Sequence, residues 1–141
     1  MIIKEFISET NKNQMIATLL KHYKVQSVKM KYKSMKNHAH FDVDRGVLEL
    51  STRYKQIKPN QLKEFLITII HEIRHAMDAN RYGWRKFKDM YEMEIAQWQA
   101  ENPKKNPDDW YDYISYEIEA EKFGQQNWNK WKKKFKKEGL I

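Results

Sequence analysis

The 141-residue chain holds no cysteine and carries a net charge of +8, with 22 lysines and 5 arginines against 19 acidic residues. Disulfides, thiolate ligands and cysteine nucleophiles are thereby excluded, so any metal has to be held by His, Asp, Glu or water. The length suits one domain over residues 1–141 with one modest core, and five Trp, eight Tyr and six Phe set it apart from disordered chains.

The N-terminus, Met1-Ile2-Ile3-Lys4-Glu5-Phe6, mixes charges into its apolar residues, and the longest nearly continuous apolar run is Phe65 to Ile70. Neither a signal peptide nor a membrane span is expected. With the missing cysteines, this points to a reducing, cytoplasmic setting.

From Asn11 to Lys24, Met15, Ile16, Leu19, Leu20 and Tyr23 recur at helical spacing behind the caps Thr10 and Asn11, which predicts a first helix. Val28, Met30 and Tyr32 then alternate with lysines as a half-buried strand does. Two further short runs, His38 to Val43 and Val47 to Leu50, flank Asp44-Arg45-Gly46, whose turn chemistry predicts a hairpin and so a three-stranded sheet.

Pro59 or Asn60 starts a long helix whose apolar stripe runs through Leu62, Phe65, Leu66, Ile69, Ile73, Ala76 and Met77, and Gly83 ends it. A second stripe of Trp84, Phe87, Tyr91, Ile95 and Trp98 predicts another helix that stops before Asn102-Pro103. Residues 102 to 109 read as a polar loop, and a last helix starts near Ser115 as N-cap and runs into a lysine-rich tail.

The long helix carries His71-Glu72-Ile73-Arg74-His75. Two imidazoles four residues apart project from one face and can share a metal ion, while the glutamate beside the first can polarise a metal-bound water. A catalytic zinc site needs a third protein ligand and an open position. The arrangement with glycine and histidine three and six residues after the second motif histidine fails, because those positions are Asp78 and Arg81. A glutamate on a later helix remains, and Tyr116 to Gly124 has the form required. Glu117 and Glu121 share a face, so the first can bind the metal while the second orients a ligand histidine, and Ala120 lets two helices approach closely.

In these two motifs the chain resembles the gluzincin metallopeptidases, where HExxH is followed by a glutamate helix of form ExxxD or ExxAD, often trailed by Phe-Gly or Phe-Ala. Glu117-Ile118-Glu119-Ala120-Glu121-Lys122-Phe123-Gly124 follows that pattern with Glu121 in place of the usual aspartate. The order of helix, three strands, motif helix and glutamate helix is similar to the minigluzincins. His71 to Asp78 followed by Tyr82-Gly83-Trp84 is similar to short HExxH proteins of phages and Gram-positive bacteria. The resemblance covers roughly residues 10 to 130, and only the two motifs are specific.

What it implies is an α+β, zincin-like fold and one Zn2+ held by His71, His75 and Glu117, with Glu121 behind the ligands. Glu119 is the fallback ligand, because the helix from Trp84 to Glu101 is a longer insertion than usual. The implied activity is peptide hydrolysis, in which zinc lowers the pKa of its water and Glu72 takes the proton and returns it to the leaving amine. Tyr113, Tyr116, His38 and His40 are the candidates for stabilising the oxyanion; Tyr113 is favoured because it lies close before the metal glutamate. The strand Val47 to Ser51 is expected to pair with an extended substrate.

Simpler roles are expected elsewhere. Asp78 reads as a helix-end polar residue, His22, His38 and His40 as surface histidines, and Asp42 to Gly46 as a turn rather than a calcium loop, whose twelfth position would need a glutamate. The last seventeen residues hold six lysines and one glutamate, and Trp128, Trp131 and Phe135 between them read as a face packed on the core. The expected partner is a protein or peptide substrate, with nucleic acid a candidate through the lysine-rich helix, no membrane, and a monomeric state. Lysine without arginine clusters favours loose phosphate attraction over base reading. The alternative function is a catalytically silent zincin scaffold that binds nucleic acid or a host protein.

Overall fold

A computed structural model describes residues 6–25, 28–42 and 44–141. Met1 to Glu5 and Val43, at the end of the second strand run, lie outside the described residues. The fold is α+β. Four α-helices, α1 (Glu9–His22), α2 (Leu62–Tyr82), α3 (Trp84–Glu101) and α4 (Ser115–Lys137), combine with a small sheet of β1 (Lys29–Lys33), β2 (Ala39–Asp42) and β3 (Val47–Ser51).

Helix α1 starts two residues earlier than its apolar pattern suggests, because Ser8 rather than Thr10 or Asn11 is the cap and its side chain accepts from the Asn11 amide at 3.1 Å. Met15, Ile16 and Leu19 bury its inner face. Lys12 is buried with them at 1% exposure, its ammonium donating to the carbonyls of Tyr54 (3.0 Å) and Lys55 (2.7 Å) and to Glu9 (2.9 Å). A lysine reaches such a position only when its donors are satisfied in this way.

The sheet order is β1-β3-β2, with β1 parallel and β2 antiparallel to β3. The hairpin forms as expected, closed by the Gly46 amide donating to the Asp42 carbonyl at 2.8 Å. Gly46 has φ +64°, and a β-carbon there would lie 2.0 Å from the Trp84 ring, so both the conformation and the space demand glycine. The third strand inserts between the other two. It is the centre of the sheet, and the expectation that Val47 to Ser51 forms the substrate-pairing edge is corrected: β2 is the edge next to α2.

Helix α2 follows a 3-10 turn over Pro59–Gln61 and ends at Gly83. Its stripe is buried as expected, with Met77 half-buried. Helix α4 runs along α2 with Glu117, Ala120, Gly124, Trp131 and Phe135 facing inward. Trp131 is buried and donates to the Tyr23 hydroxyl at 2.9 Å, so the aromatic face is core.

At Gly124 the two helices approach tightly: a β-carbon would meet the Ile67 carbonyl oxygen at 2.8 Å. Gly124→Ala is therefore expected to push α4 outward and cost about 1–3 kcal/mol in urea denaturation. Glu121 and Glu117 lie one and two turns earlier on the same helix, so both should shift with it.

The start of α4 differs from the sequence reading. Ile114 is the cap residue, and Ser115, the first helical residue, gives its hydroxyl proton to Glu94 of α3 at 2.7 Å. Part of the expected polar loop is ordered as a 3-10 helix, Pro107–Tyr113. Among the described residues no helix is long and apolar enough to cross a membrane.

Candidate metal centre

His71 and His75 point from α2 toward α4, and both are about 5–6% exposed. Their Nε2 atoms lie 2.8 and 2.7 Å from the same atom, Oε1 of Glu117. Nδ1 of His71 turns the other way and meets Oε2 of Glu121 at 3.0 Å. The i, i+4 pair on one helix and the i, i+4 pair on the facing helix thus interlock, as shared faces require. Glu119 points away, exposed, with Lys122 at 3.9 Å. The structure brings His71, His75, Glu117 and Glu121 together and leaves the fallback Glu119 outside.

Two carboxylates compete for the third ligand position. A donor atom of Glu72 also lies within 4.8 Å of both imidazole donors. Glu72, however, makes no hydrogen bond to either ring, and its Oε2 is buried with no partner among the described residues. Glu117 is aimed at both ring nitrogens, so of the two carboxylates it is the better placed to be a ligand.

Two neutral imidazoles and a carboxylate form a donor set that suits zinc, and the three donor atoms already converge on one point. Zinc at about 2.0–2.1 Å from each donor would spread them to roughly 3.3 Å, half an ångström wider than the hydrogen-bonded distances here. One feature departs from the usual arrangement. Nδ1 of His75 is buried with no acceptor among the described residues, whereas Nδ1 of His71 has Glu121.

Electrostatics follow from burial and this convergence. For Glu117, burial would raise the pKa, but hydrogen bonds from His71, His75 and Tyr91 hold it well below the usual carboxylate range. For His71, burial would lower the pKa, yet the bond to Glu117, the Glu72 and Glu117 charges and the bond to Glu121 raise it to about 9. Burial also pushes Glu72 up, opposed by His75 and His71. In the metal-free protein, then, a proton on His71 Nε2 stands where a cation would bind.

A raised histidine pKa contributes stability that is complete below its unfolded value near 6.5 and is lost as pH climbs through about 9. Chelator-treated protein should therefore lose on the order of 3 kcal/mol between about pH 6.5 and 9.5 in urea titrations. Zinc bound there would replace that proton, so zinc-loaded protein should not show the decline, and zinc uptake should release protons.

Tyrosines complete the centre, but not the one expected. Tyr113 is 52% exposed, stacks on Trp98 at 5.2 Å and has the Lys105 ammonium 4.9 Å over its ring, so its place in the site is corrected. Tyr111, two residues earlier, turns inward: its hydroxyl lies 3.3 Å from His71 Nε2 and its ring is parallel to that imidazole. Tyr91 of α3 donates to Oε2 of Glu117, and Tyr116 only stacks beneath Tyr91. Burial first, then the Glu117 charge, raises the pKa of both Tyr91 and Tyr111, which keeps them protonated donors.

The sequence reading missed both. Tyr91 sat in an apolar stripe and read as core. Tyr111 is carried by a 3-10 helix that periodicity does not reveal.

His38 and His40 are exposed, as expected for surface histidines, yet both line the cleft over the centre. His38 Nδ1 lies 2.8 Å from Glu64 and also contacts the Tyr54 hydroxyl, whose pKa burial pushes up to about 12. Asp78 pairs with Arg74 at 3.4 Å rather than with a motif histidine. The cleft measures about 1090 Å³ and runs between β2, α2, α3 and the 3-10 helix, enough for several residues of an extended chain. Compared with protein-family models, with curated proteins and with solved structures, the chain matches none.

Proposed function

We propose that this chain is a gluzincin-like, zinc-dependent metallopeptidase that acts on a protein or peptide substrate in the cytoplasm. The observation that carries the reading is the pair of imidazole Nε2 atoms aimed at one Glu117 oxygen beside a buried, unpartnered Glu72 carboxylate in an open cleft. His71, His75 and Glu117 would hold one Zn2+, which supplies a Lewis acid and makes a water acidic enough to attack at neutral pH.

The chain's own residues do the rest. Glu72 takes the proton of the attacking water and hands it to the departing amine; burial raises its basicity. Tyr111 donates a hydrogen bond to the carbonyl oxygen as charge builds there, and Tyr91 holds Glu117 in place. The edge of β2 offers backbone groups to an extended substrate.

A zinc-loaded sample incubated with a mixed peptide library should cut peptides, stop on chelation and resume on adding zinc. Stoichiometric zinc with no cleavage across the library would reject the peptidase reading.

The silent binding scaffold has one observation in its favour, the exposed Lys132, Lys133, Lys134, Lys136 and Lys137 on α4. Its aromatic anchors are committed elsewhere, Trp131 and Phe135 in the core and Trp128 half-buried under Lys63. Neutralising those five lysines should weaken nucleic-acid binding selectively if that reading holds, with a matching fall in its salt dependence.

A further inference from the structure

The cleft over the metal centre carries opposite charge at its two ends. At one end, Lys36 and Lys63 are exposed and no carboxylate lies within ion-pair distance of either among the described residues. The acid nearest to hand, Glu64, is engaged by His38 at 2.8 Å and Arg53 at 3.9 Å. At the other end, Glu92 and Asp108 are exposed and unpaired among the described residues, while the neighbouring Asp42 and Asp44 are matched by Arg45 and Lys88 at 2.8 and 2.9 Å.

These really are opposite ends. Lys63 lies eight residues before His71 on α2, roughly 12 Å along the helix axis. Asp44 ties the far end of the β2–β3 hairpin to Lys88 of α3, and Glu92 and Ile95 follow on the same α3 face toward Asp108. Between the acids the wall is apolar: Ile95 and Trp110 are half-buried, with Trp110 edge-on to Tyr91 at 5.8 Å. The candidate metal centre lies between them, reached from the acidic end by Tyr91, the residue before Glu92, which donates to Glu117.

We propose that the cleft selects an extended peptide whose charges run the opposite way, with lysine or arginine at the Glu92–Asp108 end and an acidic side chain at the Lys36–Lys63 end. A long basic side chain suits the first end because its methylene stem can lie on Ile95 and Trp110 while the charged head reaches the carboxylates. Such pairing fixes register and rejects mismatched partners more than it raises affinity. A uniformly anionic polymer meets Glu92 and Asp108 as well as the acids of the centre, so this cleft does not suit nucleic acid. The proposal deepens the peptidase reading and rests on it for the position of the scissile bond.

The test uses zinc-loaded protein carrying Glu72→Gln and short peptides with a neutral dye, read by fluorescence anisotropy. One peptide has lysines on one flank and glutamates on the other; a second, also of zero net charge, is uncharged; a third has glutamates on both flanks. The polarised peptide should bind about tenfold more tightly than the uncharged one, the sum of several exposed charge pairs. That advantage should vanish near about 1 M salt. Adding Glu92→Lys and Asp108→Lys should abolish it and make the doubly acidic peptide the tightest.

Equal binding of the two neutral-net peptides, no binding of either, or an unchanged order in the charge-reversed protein overturns the proposal. Cleavage by the parent protein is scored separately. Polarised peptide that binds preferentially but stays intact removes the peptidase reading and leaves the charge selection. Cleavage without charge preference does the reverse.

Discussion

Exchanging Glu72 for glutamine is expected to lower turnover about a thousandfold while the zinc stays bound, in line with the loss of a positioned general base. The amide keeps the shape of the side chain but cannot take a proton. Metal binding should survive because Glu72 makes no hydrogen bond to His71 or His75, and its Oε2 has no partner among the described residues. Stability should not fall, since the change replaces a buried, under-satisfied carboxylate by a neutral group. The measurements are kcat on a cleavable peptide, zinc content by mass spectrometry and a thermal melt. More than about a tenth of the parent activity in the variant would take the role of general base away from Glu72.

The second large effect belongs to the ligands. His71→Ala and Glu117→Ala should each weaken zinc binding on the order of a thousandfold, since each removes one of three donors that share roughly 10–16 kcal/mol of binding energy. Glu119→Ala is the control. That side chain is exposed and sits near Lys122, so its loss should leave affinity unchanged. Glu121→Ala lies between these, because it removes only the acceptor that orients His71 at 3.0 Å; a loss of about 10- to 100-fold is expected. Competition titration against a fluorescent zinc chelator ranks the four, and a ranking that puts Glu119 above Glu117 would move the third ligand.

Much of this architecture could be read from residue spacing, for physical reasons that also mark where the reading stops. The stripe from Leu62 to Ala76 and the later Glu117–Ala120–Gly124 pattern repeat with the helix, so local order alone predicts which faces are buried. Once both faces are known, the meeting of His71 with Glu117 and Glu121 needs only that the helices be adjacent.

The sheet order is different. Inserting β3 beside β1 depends on a parallel pairing of Lys29 with Val47, 18 residues apart, which no local signal encodes, so spacing alone points to the wrong strand as the edge. Tyr91 and Tyr111 failed for a related reason. Each reaches the centre from another element, so its role depends on how elements pack rather than on its sequence neighbours. The cap of α4 is likewise tertiary, since a Glu94 carboxylate oxygen accepts from the Ser115 amide in place of a side chain next to it in sequence.

The seat of Gly46 against Trp84 has a mechanical corollary. Because the hairpin tip rests directly on the first residue of α3, and the Asp44–Lys88 bridge clamps the same junction, the two walls at that end are braced against each other. The slot cannot gape there without prising the tip off the indole.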